Sequence, residues 1–211
     1  MKPIDDFIVD LCNRHLKPPV EEIYGIRDWF IEKGLKTDAF KATGKTESTS
    51  LESDFYFLYL LVKHYKVRTV VEVGTWFGAS AAVMALAGAN VYTCDQHKVY
   101  LKNNRFSDRI KYYNCRSERF FERLRKKEVQ ADMVFVDGRV RRGDDKQIVR
   151  LMDKGAIFAS HDWHLDKGRN NIKLMSKRLK GYQALVPKTD KSGTVVDGLQ
   201  INSSVAVVVP E

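Results

Sequence analysis

The sequence predicts an α/β fold: a mostly parallel sheet of seven strands with helices on both faces, ending in an antiparallel hairpin. Three observations carry that prediction. Short apolar runs rich in valine and isoleucine alternate with amphipathic segments from residue 50 to residue 180, the rhythm of strand–helix units. The run Val70-Val71-Glu72-Val73 passes through Gly74 and Gly78 into the alanine-rich segment 79–87, which reads as a strand, a glycine-relieved turn and a helix. Beyond residue 182 two strand-like runs follow with no helical pattern between them, so they pair antiparallel.

Taken in order, residues 4–16 carry an amphipathic helical pattern that Pro18-Pro19 stops, and a second helix fits 20–33, ending near Gly34. Residues 1–49 are expected to form a helical extension or cap, a place for a homo-oligomer contact; residues 50–211 form the main domain. The polar stretch 41–50 reads as a loop, and Ser50 caps a helix over 51–65 whose stripe is Phe55, Leu58, Leu61 and Val62. Strands are expected at 68–73, 90–94, 110–113, 133–136 and 156–159. Helices separate them at 79–87, 98–104, 117–127 and from Asp144 or Asp145 to Met152. A helix over 168–180 leads to a strand at 182–186, and a loop over 188–200 joins it to the last strand, 204–209, which Pro210 ends.

With 211 residues, 44% hydrophobic, the chain can bury the core of one domain, and no apolar run approaches the length of a membrane span. No continuous apolar segment follows Lys2, so no signal peptide is expected; three cysteines without metal or redox spacing fit a reducing compartment, the cytoplasm by default. The net charge of +9 would attract nucleic acid, an anionic membrane or an acidic metabolite. Its basic clusters, such as Arg139, Arg141 and Arg142, are not interleaved with aromatic residues as a single-strand stacking platform requires. Solvated helix faces account for most of them.

Chemistry gathers at the strand ends. Glu72 and Gly74 end the first, Asp95 the second, Cys115 and Arg116 the third, Asp137 the fourth, and His161 with Asp162 the fifth. In an open parallel sheet these positions share one rim, where small ligands bind. Asp95 follows Glu72 by 23 residues, a spacing that suits a carboxylate accepting ribose hydroxyls. A dinucleotide would need Gly-x-Gly-x-x-Gly to bring its pyrophosphate against the helix, and Trp76 stands where the second glycine would be. A ribosyl ligand without phosphates, cationic beside Glu72, fits better.

These motifs resemble the class I S-adenosylmethionine-dependent methyltransferases, within them the catechol O-methyltransferase-like and macrolide-sugar O-methyltransferase-like branches. The matching stretches are 71–80, Asp95, Asn114-Cys115-Arg116-Ser117, 132–138 and 155–162, and the likeness covers residues 50–209. It implies a Rossmann-like methyltransferase fold in which Gly74, Trp76, Gly78 and Ser80 line the methionine end of the cofactor. By the same resemblance Glu72 faces the cofactor's amino group, Asp95 its ribose, and Cys115 and Arg116 its adenine.

Methyl transfer is an in-line displacement governed by orientation and by the charge of the nucleophile. In the metal-dependent branch a divalent ion holds the acceptor oxygen. Asp137 and Asp162 are hard donors suited to Mg²⁺, and His161 beside them would tilt the preference toward Mn²⁺ or Zn²⁺. The alternative is that Asp162 orders its loop and Asp137 caps backbone N–H groups. The family's lysine base falls three residues after the strand-four acid, where this chain has Val140. His161 or His164 is the substitute base, since an ordinary imidazole titrates near neutrality. Arg139, Arg141 and Arg142 suit a phosphate, carboxylate or sugar acid. The expected activity is O-methylation of a small polar, sugar-like or anionic acceptor. Two alternatives stand beside it: an RNA methyltransferase, though Asp137-Gly138-Arg139-Val140 replaces the Asn/Asp-Pro-Pro-aromatic motif, and a cofactor-binding protein without turnover.

Overall fold

Apolar residues alternate along the strands and so build a core on each face of the sheet. On one face lie Val70, Met133, Phe135, Ile157, Ala159 and Val207. Their neighbours in sequence, Val71, Val134, Val136, Phe158 and Val208, lie on the other. The computed structural model describes residues 1–14, 18–34, 52–76, 78–97, 108–188, 193–202 and 204–211.

The elements in chain order are β1 (Lys2–Pro3), α1 (Asp5–Arg14), α2 (Val20–Gly34), α3 (Glu52–His64), β2 (Thr69–Val73), α4 (Ala79–Leu86), β3 (Asn90–Asp95) and β4 (Ile110–Asn114). There follow α5 (Ser117–Lys126), β5 (Ala131–Val136), α6 (Asp144–Leu151), β6 (Met152–Ser160), α7 (Asp166–Arg178), β7 (Tyr182–Val186), β8 (Thr194–Val196), β9 (Leu199–Ile201) and β10 (Ala206–Pro210). The main sheet has the order β1-β7-β10-β6-β5-β2-β3-β4. Every pairing in it is parallel except those of β10, which runs antiparallel to β6 and β7. Helices α1 to α4 pack on the first core and α5 to α7 on the second. Ile4, Ile8, Leu11 and Ile23 are fully covered and lie in the same core cluster as α3. Among the described residues no helix is long and apolar enough to cross a membrane.

The expected strand–helix order and the antiparallel β7–β10 pair are present, and four local details differ. Strand β1 extends the sheet by two residues, Lys2 and Pro3, opposite Leu185 and Val186, too short a run to leave a sequence pattern. β6 starts at Met152 rather than 156, because the register against β5 jumps from Ala131↔Met152 to Met133↔Ile157 and the surplus residues bulge outward. β10 begins at 206, not 204, because Ser204 and Val205 give their amides to Asp54 and Asn202 instead of the sheet. The expected loop 188–200 holds a second hairpin, β8–β9, closed by Asp197 and Gly198, both at positive φ. The expected helix at 98–104, the loop at 41–50 and the Ser50 cap lie outside the described residues.

Candidate active site

The turn after β2 is built by a close approach of two strand ends. Gly74 has φ +99°, and a Cβ there would stand 2.7 Å from the Asp137 carbonyl oxygen. Only glycine lets β2 and β5 meet this tightly. The Gly74 and Thr75 N–H groups donate to the Cys94 carbonyl, and the Asp137 N–H donates to Val73. The ends of β2, β3 and β5 are thereby tied together. Gly78, at φ 89°, then starts α4.

Glu72 sits beneath this turn, fully buried. Ser80 Oγ donates to its Oε1 at 2.5 Å and Thr93 Oγ1 to its Oε2 at 2.5 Å, and Thr93 Oγ1 in turn accepts from Thr75 Oγ1 at 2.6 Å. Burial, with the charges of Asp137 and Asp95 adding to it, raises the Glu72 carboxyl to about 8 against the pull of both hydroxyls. Near neutral pH it is a protonated brace of the turn. Asp95 faces outward from the end of β3 and accepts the Trp76 N–H at 2.9 Å and the His97 N–H at 2.9 Å. It stands on the rim with its position fixed from both sides.

The carboxyl ends of β2 to β5 open onto a cleft of ≈ 380 Å³ lined by Gly74, Asp95, Cys115, Arg116, Asp137 and Arg139, among others. Five expected site residues therefore share one cavity; Trp76 and Gly78 lie in the adjoining turn, and Glu72 and Ser80 support it from below. Burial raises both the Cys94 and the Cys115 thiols, for Cys115 against the nearby Arg123 and Arg119. Neither is a thiolate nucleophile at neutral pH. The loop carrying Arg139 and Arg141 is pinned at both ends. Asn171 accepts the Val140 N–H at 2.9 Å and donates to the Gly138 carbonyl at 2.8 Å and to Ser160 Oγ at 3.0 Å. Asp144 accepts from Arg141 N–H and Ser117 Oγ. Val140 itself packs against the second core, and its side chain supplies no proton acceptor.

Beside the cleft lies a network of charges. His161 is 1% exposed, with Nδ1 3.0 Å from Asp137 Oδ1 and 3.4 Å from Asp162 Oδ1, and Nε2 3.3 Å from Asp54 Oδ2. Burial by itself would lower the imidazole; the Asp137 charge and hydrogen bonds to Asp137, Asp162 and Asp54 outweigh it and hold His161 well above its ordinary value. It is an imidazolium donating from both nitrogens. Asp54, in the first turn of α3, also accepts the Ser204 N–H and Oγ–H. Burial works against the Asp54 charge, and the His161 and Ser204 bonds still bring the carboxyl below its ordinary value. Lys167 Nζ reaches Asp162 Oδ2 at 2.5 Å and Asp137 Oδ1 at 3.5 Å. Asp162 is likewise drawn down, against burial, by His161 and Lys167. His164 lies at the edge, Nε2 3.9 Å from Asp162 Oδ1.

Asp137, His161 and Asp162 do converge, with one ligand atom from each within 4.8 Å of the others. The donor set does not fit a divalent ion in this arrangement. The ammonium of Lys167 stands between the two carboxylates, and both nitrogens of His161 point at carboxylates. Asp54, Lys167 and Asn171 were not singled out in the sequence. Asp54 meets His161 across 107 positions, which no local pattern reports. For Lys167 a signal existed: Gly168 directly follows it at the start of a helical pattern.

Residues 71–163 match the family described as "Methyltransferase domain". Among solved structures the chain is similar to the Streptomyces achromogenes O-methyltransferase TomG, involved in tomaymycin synthesis and solved with S-adenosylmethionine: 15% identity over 86% of this chain and 89% of that one, TM-score 0.64. It is equally similar in fold to a Bacillus cereus O-methyltransferase solved with S-adenosylhomocysteine: 17% identity, 98% and 96% coverage, TM-score 0.64. No curated protein matches the chain. The chain thus has the fold of these O-methyltransferases, and its residues 71–163 match the methyltransferase-domain family.

Proposed function

We propose that this enzyme transfers the methyl group of S-adenosylmethionine to an oxygen of a small anionic acceptor. The observation that carries the reading is the single cleft in which Asp95 and Gly74 meet Arg139 and Arg141 across Asp137. In this reading Asp95 receives the ribose hydroxyls, and Cys115 and Arg116 flank the adenine. Gly74, Trp76, Gly78 and Ser80 form the methionine end, with Glu72 bracing it from below. Arg139 and Arg141 bind the acceptor's acidic group, phosphate, carboxylate or sugar acid.

In the transfer, an acceptor oxygen lone pair forms the C–O bond as the C–S bond breaks and sulfur takes the bonding pair. The sulfonium charge is lost in that step, so a negative acceptor ends neutral at the reacting oxygen. An oxygen that arrives ionised needs no base, in keeping with Val140 at the lysine position and a doubly protonated His161. His164, close to Asp162, is the residue that would take the proton of a neutral hydroxyl. The free thiols of Cys94 and Cys115 favour a reducing compartment such as the cytoplasm.

The test is release of S-adenosylhomocysteine with a panel of paired acceptors, each sugar or aromatic ring offered with and without a phosphate or carboxylate. Preference for the acidic member, abolished in Arg139→Ala, supports the reading; equal turnover of both members contradicts it. The +9 charge favours a second reading, RNA, which predicts methylated RNA product with affinity falling steeply as salt rises.

A further inference from the structure

We propose that Lys167 is the resident cation of this site: its ammonium fills, from within the chain, the position between Asp137 and Asp162 that a divalent ion would take, and the enzyme transfers methyl groups without one. The consequence for catalysis rests on the methyltransferase reading; the cation position does not.

The placement of Lys167 is built into the backbone. Asp162 turns the chain off β6 at φ 57°, and its carbonyl accepts the Leu165 N–H at 2.8 Å. Helix α7 then starts at Asp166, so Lys167 falls in its first turn. Gly168 lies so close to the strand end that a Cβ there would be 2.3 Å from the Asp162 carbonyl oxygen and 2.6 Å from that of His161. Only a glycine at 168 lets the helix approach, and that approach carries the Lys167 stem to the two carboxylates. The ammonium reaches both, at 2.5 Å and 3.5 Å, while the side chain stays 26% exposed.

Charge argues the same way. Asp137 and Asp162 already face the Lys167 ammonium, and Asp137 and Asp54 face the two ring nitrogens of His161. A divalent ion at Asp137 and Asp162 would sit against the ammonium and would need a nitrogen of His161 that now donates to a carboxylate. Lysine is a compact point charge with three donors, suited to replace a bound ion between oxygen ligands. The origin of Lys167, the start of α7, differs from that of the family's lysine after strand four, where Val140 stands.

The experiment measures Mn²⁺ binding by the electron paramagnetic resonance of free Mn²⁺, without cofactor or acceptor, on the whole chain. Wild type is expected to bind no Mn²⁺ at millimolar concentration, and its S-adenosylhomocysteine formation is expected to be unchanged in excess chelator. Lys167→Ala opens the position and is expected to bind one Mn²⁺ at least tenfold more tightly than wild type. Lys167→Met, which keeps the apolar stem, serves if the alanine variant unfolds. Stoichiometric Mn²⁺ on wild type, lost in Asp162→Asn, would overturn the proposal, as would loss of wild-type activity in chelator. Failure of both folded variants to bind Mn²⁺ better than wild type would overturn it too. Because binding is read without cofactor, these outcomes leave the methyltransferase reading to its own test.

Discussion

Replacing Glu72 with glutamine should change how stability depends on pH, and the size of the change follows from its burial. The carboxyl is fully enclosed and raised from 4.5 to about 8. Between those values the folded chain holds a proton that the unfolded chain has released. Stability contributed by Glu72 is therefore fully present below 4.5, declines as pH rises, and is gone above 8. Over the whole window this amounts to about 5 kcal/mol, of which about 2 kcal/mol falls between pH 6 and pH 8. Glutamine keeps the shape and remains neutral, and the chained hydroxyls of Ser80, Thr93 and Thr75 can turn to suit its amide. Urea unfolding followed by tryptophan fluorescence at several pH values, at constant ionic strength, measures both proteins. Subtracting the two curves removes every other titrating group, His161 included. The glutamine variant should gain on wild type steadily from pH 6 to pH 8. A flat difference, or one in which wild type gains as pH rises, would refute a neutral, buried Glu72.

Three further outcomes can be checked together. Gly74→Ala combines a left-handed backbone with a Cβ 2.7 Å from the Asp137 carbonyl oxygen, so it should cost about 2–4 kcal/mol in urea unfolding and weaken cofactor binding; an unperturbed variant would mean the strand ends are not in contact. Asn171→Leu leaves the Val140 N–H and the Gly138 carbonyl without their partner, and should cost about 1–3 kcal/mol and raise the acceptor KM through the loosened arginine loop. His161→Leu leaves the buried Asp54 carboxylate with its Ser204 bonds but without the ring nitrogen it faces at 3.3 Å, and should cost about 3–5 kcal/mol, most of it recovered when Asp54→Asn is added; no recovery in the double variant would show that the pair is not coupled.

Period-two strands and their terminal acids made the sheet, its parallel core and the cleft at the strand ends legible in the sequence. Val70 to Val73 alternate between the two cores as an internal strand must, and Gly74 marks a close backbone approach that the structure contains. What stayed hidden depends on distance. Ser80 and Glu72 are one helical start apart and could be placed together, but that they bond each other beneath the turn is a tertiary fact. Nothing in the sequence tells that Asp54, 107 positions away, closes over the second nitrogen of His161. Val140 was visible in the sequence; for Lys167 the adjacent Gly168 was the one local signal, and the reach of its ammonium to Asp137 and Asp162 is a tertiary fact. The β8–β9 hairpin had a local signal, Asp197-Gly198, inside a segment read as loop for its polarity.

Calorimetric titration with S-adenosylmethionine tests the central claim most directly, comparing wild type with Asp95→Ala. The account predicts one site per chain in wild type and at least tenfold weaker binding in the variant, about 1.4 kcal/mol or more. No binding by wild type at millimolar cofactor, or equal binding by both, would contradict it.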